Sequence, residues 1–119
     1  MWIFLNDSFL SIVKHRDIPG HLLVRARRPG DIKRAFPWVE EEETPNADYR
    51  YRAAIEAREA ADCIARAMRE IPYDNFKNSI QDPQYHNACS DVWLTMLGLQ
   101  KGGKYKEMPF MPENDLPRQ

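Results

Sequence analysis

Residues 48–71 read DYRYRAAIEAREAADCIARAMREI, and within this stretch the spacing of apolar positions changes from every second residue to every third or fourth. Asp48, Arg50 and Arg52 alternate with Tyr49, Tyr51 and Ala53, the two-residue period of a strand with one charged face and one aromatic or small face. From Ala57 onward the period lengthens, and Ala57, Ala61, Ile64, Ala65, Met68 and Ile71 fall on a helix stripe. Pairs of opposite sign four residues apart are expected on its solvent side: Arg58 with Asp62, Asp62 with Arg66, and Arg66 with Glu70. Pro72 ends the helix. A strand that feeds directly into a helix is the fixed point from which the rest of the chain is placed.

Upstream, Trp2 to Leu5 and Phe9 to Val13 read as two strands of a hairpin around Asn6-Asp7, residues that tolerate positive φ better than most. A third strand, His21 to Arg27, sets Leu23, Arg25 and Arg27 against Leu22, Val24 and Ala26, so one face is buried and the other carries guanidinium groups. Pro29-Gly30-Asp31 ends it, and residues 32–36 have room for one or two helical turns before Pro37. The strand within the quoted stretch is expected over residues 49–55.

Downstream, Asp74 is a candidate N-cap for a single helical turn, and Asp82-Pro83 is the N-cap and first residue of a final helix. Its buried side is expected to carry Tyr85, Ala88, Cys89, Val92, Trp93, Met96 and Leu97, with Gly98 or Gly102-Gly103 closing it. The 101–119 tail, with Pro109, Pro112 and Pro117, is expected to be extended or disordered, with Tyr105, Phe110 and Met111 available for docking. The reading is a single α+β domain over residues 1–100: a mainly antiparallel sheet of three to four strands with two main helices packed on one face.

Composition narrows the function classes. The chain has 119 residues, enough for one core, and 43% hydrophobic with 29% charged residues is ordinary for a globular protein. Met1 to Leu5 is broken at once by Asn6-Asp7, so it is neither a membrane span nor a signal-peptide core, and a cytoplasmic location is expected. A net charge of -1 argues against nucleic-acid binding through bulk electrostatics and against a strongly acidic mimic. Basic residues nevertheless concentrate between Lys14 and Arg34, and Glu40 to Glu43 form an acidic run. Cys63 and Cys89 sit in helical patterns without a C-x-x-C pair and are expected to be reduced. The histidines and cysteines have no metal-ligand spacing and no glycine-rich phosphate loop precedes a helix, so neither metal nor cofactor is expected.

Arg25 and Arg27 on one strand and Arg50 and Arg52 on another would share a sheet face if those strands were neighbours, and such a face suits phosphates or an acidic partner. The plainer alternative is a solvated outer face neutralised by Glu40 to Glu43. By parity Tyr49 and Tyr51 point away from the arginines, which favours a protein partner over stacked bases. Trp2 is expected in the core. Trp38, beside Phe36, is a candidate partner anchor. A secondary candidate is the loop with Tyr73, Asn75 and Lys77, taken together with His86; an enzyme would need one pocket uniting them, whereas capping and packing are the ordinary roles of such residues.

Four segments carry a resemblance: WIFLNDSFLSIV with LLVRAR, DYRYRAAI, YDNFKNSI, and His86 with Val92-Trp93. Over roughly residues 1–97 the chain resembles a family of small uncharacterised proteins of bacterial genomes and prophage-like regions. The resemblance brings no catalytic residue. It implies a phage or mobile-element accessory factor that binds another macromolecule, for example an inhibitor of a host defence complex. The expected function is thus a non-enzymatic protein-interaction module with Arg25, Arg27, Arg50, Arg52 and Trp38 at the contact, and the alternative is a nucleic-acid-binding or nucleic-acid-processing protein using the same arginines. No membrane partner is expected.

Overall fold

The change of period in residues 48–71 becomes a strand joined to a helix without a connecting loop, within a computed structural model that describes residues 1–100 and 102–105. Along them the elements are β1 (Trp2–Phe4), β2 (Phe9–Lys14), β3 (His21–Ala26), α1 (Asp31–Ala35), β4 (Glu42–Glu43), β5 (Tyr51–Glu56), α2 (Ala57–Arg69), α3 (Phe76–Ser79) and α4 (Pro83–Leu97). The strands form one sheet in the order β1-β2-β3-β5-β4, with every neighbouring pair antiparallel. The fifth strand is the two-residue β4, cut from the acidic run that the sequence presented as a loop.

Strand parity divides the sheet into two faces. On one, Ile12, Val24 and Ala53 stand in a row across β2, β3 and β5, and with Leu10, Ala26 and Ile55 they are covered by Ile32 and Phe36 from α1 and its end and by Ala60 of α2. On the other face Phe4 and Phe9 pair across the first hairpin and stack at 4.6 Å. There they form a second, smaller core with Ile80, Tyr85, Cys89 and Phe76. The two main helices therefore do not share a face: α2 covers one side, and α4 reaches the other at its β1–β2 end. The reason lies in the hairpin, whose alternation turns Ile3 and Leu10 toward one layer and Phe4 and Phe9 toward the other.

Several local expectations shift. β5 begins at Tyr51, because residues 47–49 bend and do not pair as strand. The inward line of α2 runs through Ala60, Cys63 and Ile64 and leaves Met68 and Ile71 exposed. Alanine at position 60 lets the helix approach the sheet closely, and the Cys63 thiol donates to the Ala35 carbonyl at 3.0 Å. Of the three ion pairs expected on α2, Arg66–Glu70 forms, at 3.2 Å; the pairs through Asp62 do not come within bonding distance, as suits solvated side chains whose pairing gains little. Asn75, not Asp74, caps α3, accepting from the Asn78 amide at 3.0 Å. Asp82 caps α4 as expected, accepting from the Gln84 amide at 3.3 Å. Of the residues expected on the buried side of α4, Tyr85 and Cys89 are buried, while Ala88, Val92, Trp93, Met96 and Leu97 are exposed. Past Lys101, residues 102–105 turn back on the end of α4, the Tyr105 amide donating to the Gly98 carbonyl at 2.7 Å. The rest of the 101–119 tail, with Phe110 and Met111, lies outside the described residues.

The hairpin turn differs in kind from the expected one. Neither Asn6 nor Asp7 takes a positive φ; the Leu5 amide donates to the Ser8 carbonyl at 2.9 Å across the turn, and distant groups brace it. The Tyr85 hydroxyl lies 2.6 Å from the Leu5 carbonyl and 2.8 Å from that of Ser8, its proton shared between them. Arg34 donates to the Asp7 carbonyl at 3.1 Å, and the Phe9 amide donates to the Asp31 carboxylate at 3.1 Å. Asp31 is 1% exposed and also pairs with Arg34 and, at 3.6 Å, with Arg28. Glu41 accepts from the amides of Gly30 and Ile32 at the start of α1, and Glu40 pairs with Lys33. Half of the acidic run thereby serves α1.

Candidate functional site

One cross-strand row traverses all five strands on the face opposite α2. Trp2 is level with Ser11, Ser11 with Arg25, Arg25 with Arg52, and Arg52 with Glu42. Two arginines directly opposite each other repel, and the surrounding groups offset this. Arg25 donates to the buried Ser11 hydroxyl at 2.7 Å, while its guanidinium stands 4.6 Å from the centre of the Tyr49 ring. Arg52 donates to the Tyr49 carbonyl at 3.2 Å and lies 3.4 Å from the Asp48 carboxylate. Arg27 lies 4.2 Å from the same Tyr49 ring and donates to the Asp48 carbonyl at 3.0 Å. Tyr49 is thus buried beneath guanidinium groups, an arrangement that stabilises both partners through the ring quadrupole. The bend at residues 47–49 makes this possible, since it frees Tyr49 from the alternation that governs Tyr51.

The row ends beside a cleft of about 350 Å³ between the sheet and α4, lined by Trp2, Phe9, Arg27, Tyr49, Tyr85 and Val92 among others. Arg28 braces its wall, hydrogen-bonded to Asp82 and 5.1 Å over the Tyr85 ring. That bond holds the Asp82 carboxyl below, and the Arg28 guanidinium above, their ordinary ranges. Burial pushes the Tyr85 phenol and the Cys89 thiol upward, so both stay protonated at neutral pH and Cys89 is an apolar packing group there. What the cleft offers is apolar depth beside positive charge, and the carboxylate in its lining, Asp31, is engaged by the Phe9 amide, Arg28 and Arg34. No group of three or more histidine, cysteine, aspartate or glutamate side chains suited to a metal ion occurs among the described residues.

The expected site residues separate into groups. Arg25 and Arg52 face each other and Arg27 joins them through Tyr49, whereas Arg50 is exposed outside β5, its carbonyl accepting from Thr44 at 2.6 Å. Trp38 is 56% exposed but belongs to the other layer, where it meets Phe36 edge-on at 5.9 Å and lines a cleft with Cys63 and Ile64 of α2. Tyr73 lines that same cleft, while Asn75 and Lys77 line another with Phe4 and Trp93, and His86 lines none of the clefts described. The Tyr73, Asn75, Lys77 and His86 set is not one pocket. Lys77 instead covers the Trp93 ring at 4.1 Å.

Sequence reasoning missed Trp2, Phe9 and Tyr85. Trp2 was expected in the core and is 66% exposed, because β1 is an edge strand and its parity sets Trp2 with Ser11 and Arg25. Carrying the parity of Arg25 across the hairpin would have found it. No family model, curated protein or solved structure matches the chain, and every role here rests on geometry.

Proposed function

We propose that the protein is a non-enzymatic interaction module that receives, on its open sheet face, a protein segment carrying acidic side chains next to an apolar anchor. The observation that supports this is the convergence of Arg25, Arg27 and Arg52 with the apolar cleft beside Trp2 and Phe9. The anchor fills the cleft, and the arginines pair with the flanking carboxylates and steer the approach. Occupying a partner's surface in this way blocks whatever else would bind there, so the module acts by occlusion; an accessory factor directed at a host defence complex is the setting we propose for it. The test is a side-by-side pull-down with the wild-type chain and an Arg25→Glu, Arg27→Glu variant. A partner retained equally by both removes the sheet face from the interaction.

Nucleic acid on the same arginines is the second reading, and the exposed Trp2 at the end of their row favours it. Against it, the Tyr49 ring is covered by Arg25 and Arg27 and offers no face to a base. A mobility shift that weakens steeply with salt would support this reading, and its absence would leave the protein partner alone.

A further inference from the structure

The two edges of the sheet are unlike. β4 is two residues long and carries Glu42 and Glu43, and short, charged strands are how an edge is kept from pairing with another chain. β1 has neither charge nor proline, and Trp2, Ile3 and Phe4 pair with β2 in unbroken register. The bonds to β2 define what its outer side presents. The Met1 amine donates to the Ile12 carbonyl and the Ile12 amide to the Met1 carbonyl, each at 2.8 Å, and the Leu5 amide donates to the Ser8 carbonyl. In an antiparallel pair such bonds fall on every second residue. Met1, Ile3 and Leu5 therefore turn their backbone groups toward β2, and the N–H and C=O of Trp2 and Phe4 point away from the sheet. Among the described residues nothing bonds to them. Adjoining this edge at Phe4, on the α4 face, is a groove of about 580 Å³ lined by Phe4, Phe76, Val92, Trp93 and Met96 among others.

We infer that β1 accepts a further strand, an extended segment of the partner protein laid along Trp2–Phe4. The inference rests on the reading of the partner as a protein segment and adds how its backbone is held: the N–H and C=O of Trp2 and of Phe4 bond to the guest main chain, as in strand addition to an open sheet edge. Residues directly opposite in a sheet point to the same face. The guest side chain opposite Phe4 thus enters the groove beside Val92 and Met96, and the one two positions along packs on the Trp2 indole, which is 66% exposed. A row of outward amides and carbonyls demands an extended backbone, and the groove demands apolar side chains at alternate positions of it. Arg27 lines the cleft on the other side of Phe4, so the acidic flank of the guest meets a cation on the same face. A second β1, with no acid in residues 1–5, does not supply that complement.

Random peptides displayed on phage and selected on the immobilised full-length chain test it, with alternative substitutions at one exposed position. Trp2→Val removes the ring and keeps the outward N–H, whereas Trp2→Pro removes both at the first residue of a strand, where proline is tolerated. The expected result is peptides with apolar residues at alternate positions that bind the Trp2→Pro chain about tenfold more weakly than the Trp2→Val chain, the two chains having the same far-ultraviolet circular dichroism. If these peptides also keep their affinity for the Arg25→Glu, Arg27→Glu chain, the added strand stands and the arginines drop out of the contact. Peptides that bind the Trp2→Pro and Trp2→Val chains alike overturn the inference, and if they are lost with the arginine substitutions the sheet-face reading survives without the added strand. Failure to select any peptide overturns it as well. So does a dimer in sedimentation that Trp2→Pro abolishes and Trp2→Val keeps, which would make a second copy the occupant, and so do peptides selected only after Phe110→Ser with Met111→Ser, which would make the chain's own tail the occupant.

Discussion

Tyr85 ties two parts of the chain together with one hydroxyl. Its ring is in the second core and its proton is shared by two carbonyls of the first hairpin. Tyr85→Phe keeps the ring and removes the donor, so chemical denaturation at neutral pH should register a loss of about 1–2 kcal/mol. The pH dependence has a definite sign. Burial raises the phenol in the folded state, whereas the unfolded chain ionises near its ordinary value of about 10. Above that pH the unfolded state releases a proton that the folded state keeps, and the wild type loses stability as pH rises. The Phe variant lacks this contribution, so the gap between the two should narrow in alkaline solution; a constant gap would show that the phenol is solvated. Legibility at this scale was uneven. Asp82 announced itself as an N-cap because its partner is two residues away. The bonds of Asp31 to Phe9 and of Tyr85 to Leu5 span 22 and 80 residues, and no local pattern encodes them.

At the level of elements, β5 and α2 were legible because their periods differ and no loop separates them. The same stretch misled on Tyr49, since alternation holds only where residues pair, and pairing starts at Tyr51. The facing arginines were legible as a face but not as direct opposites, because register depends on which strands adjoin. That opposition yields a prediction. Arg52→Thr relieves the repulsion with Arg25 and keeps a residue suited to a strand, at the cost of the bond to the Tyr49 carbonyl. The two effects offset, and the change in stability should stay within about 0.5 kcal/mol by thermal melting. A loss beyond about 2 kcal/mol would mark Arg52 as a structural residue instead of one available to a partner. The apolar line of α4 was legible, but not its exposure: sequence periodicity shows which side of a helix is apolar and is silent on whether another layer covers it.

In the molecule as a whole, two cores lie on opposite faces and meet at the β1–β2 hairpin. The larger is built from the central strands with α1 and α2; the smaller has three buried residues. Local opening should follow this division. Amide hydrogen exchange is expected to be slowest in β2, β3 and β5 and faster in α3 and α4, with Tyr85→Ala accelerating the helices far more than the central strands. Uniform acceleration across both would mean that the chain opens as a single unit. The antiparallel α+β class was readable from the order of elements, whereas the division into two cores depended on the parity of Phe4 and Phe9, a hairpin detail that only the paired register reveals.

The three tryptophans give the protein a set of optical reporters. Trp2 borders the arginine cleft, Trp38 stands over α2 on the opposite layer, and Trp93 lies on the distal half of α4; each is at least half exposed. Each therefore has room to shift to the blue when its own surface is covered further. Chains retaining one tryptophan, with the other two changed to Phe, would assign any spectral change to one surface: Trp2 to a guest in the cleft, Trp93 to cover of the distal half of α4, and Trp38 to the α2 layer.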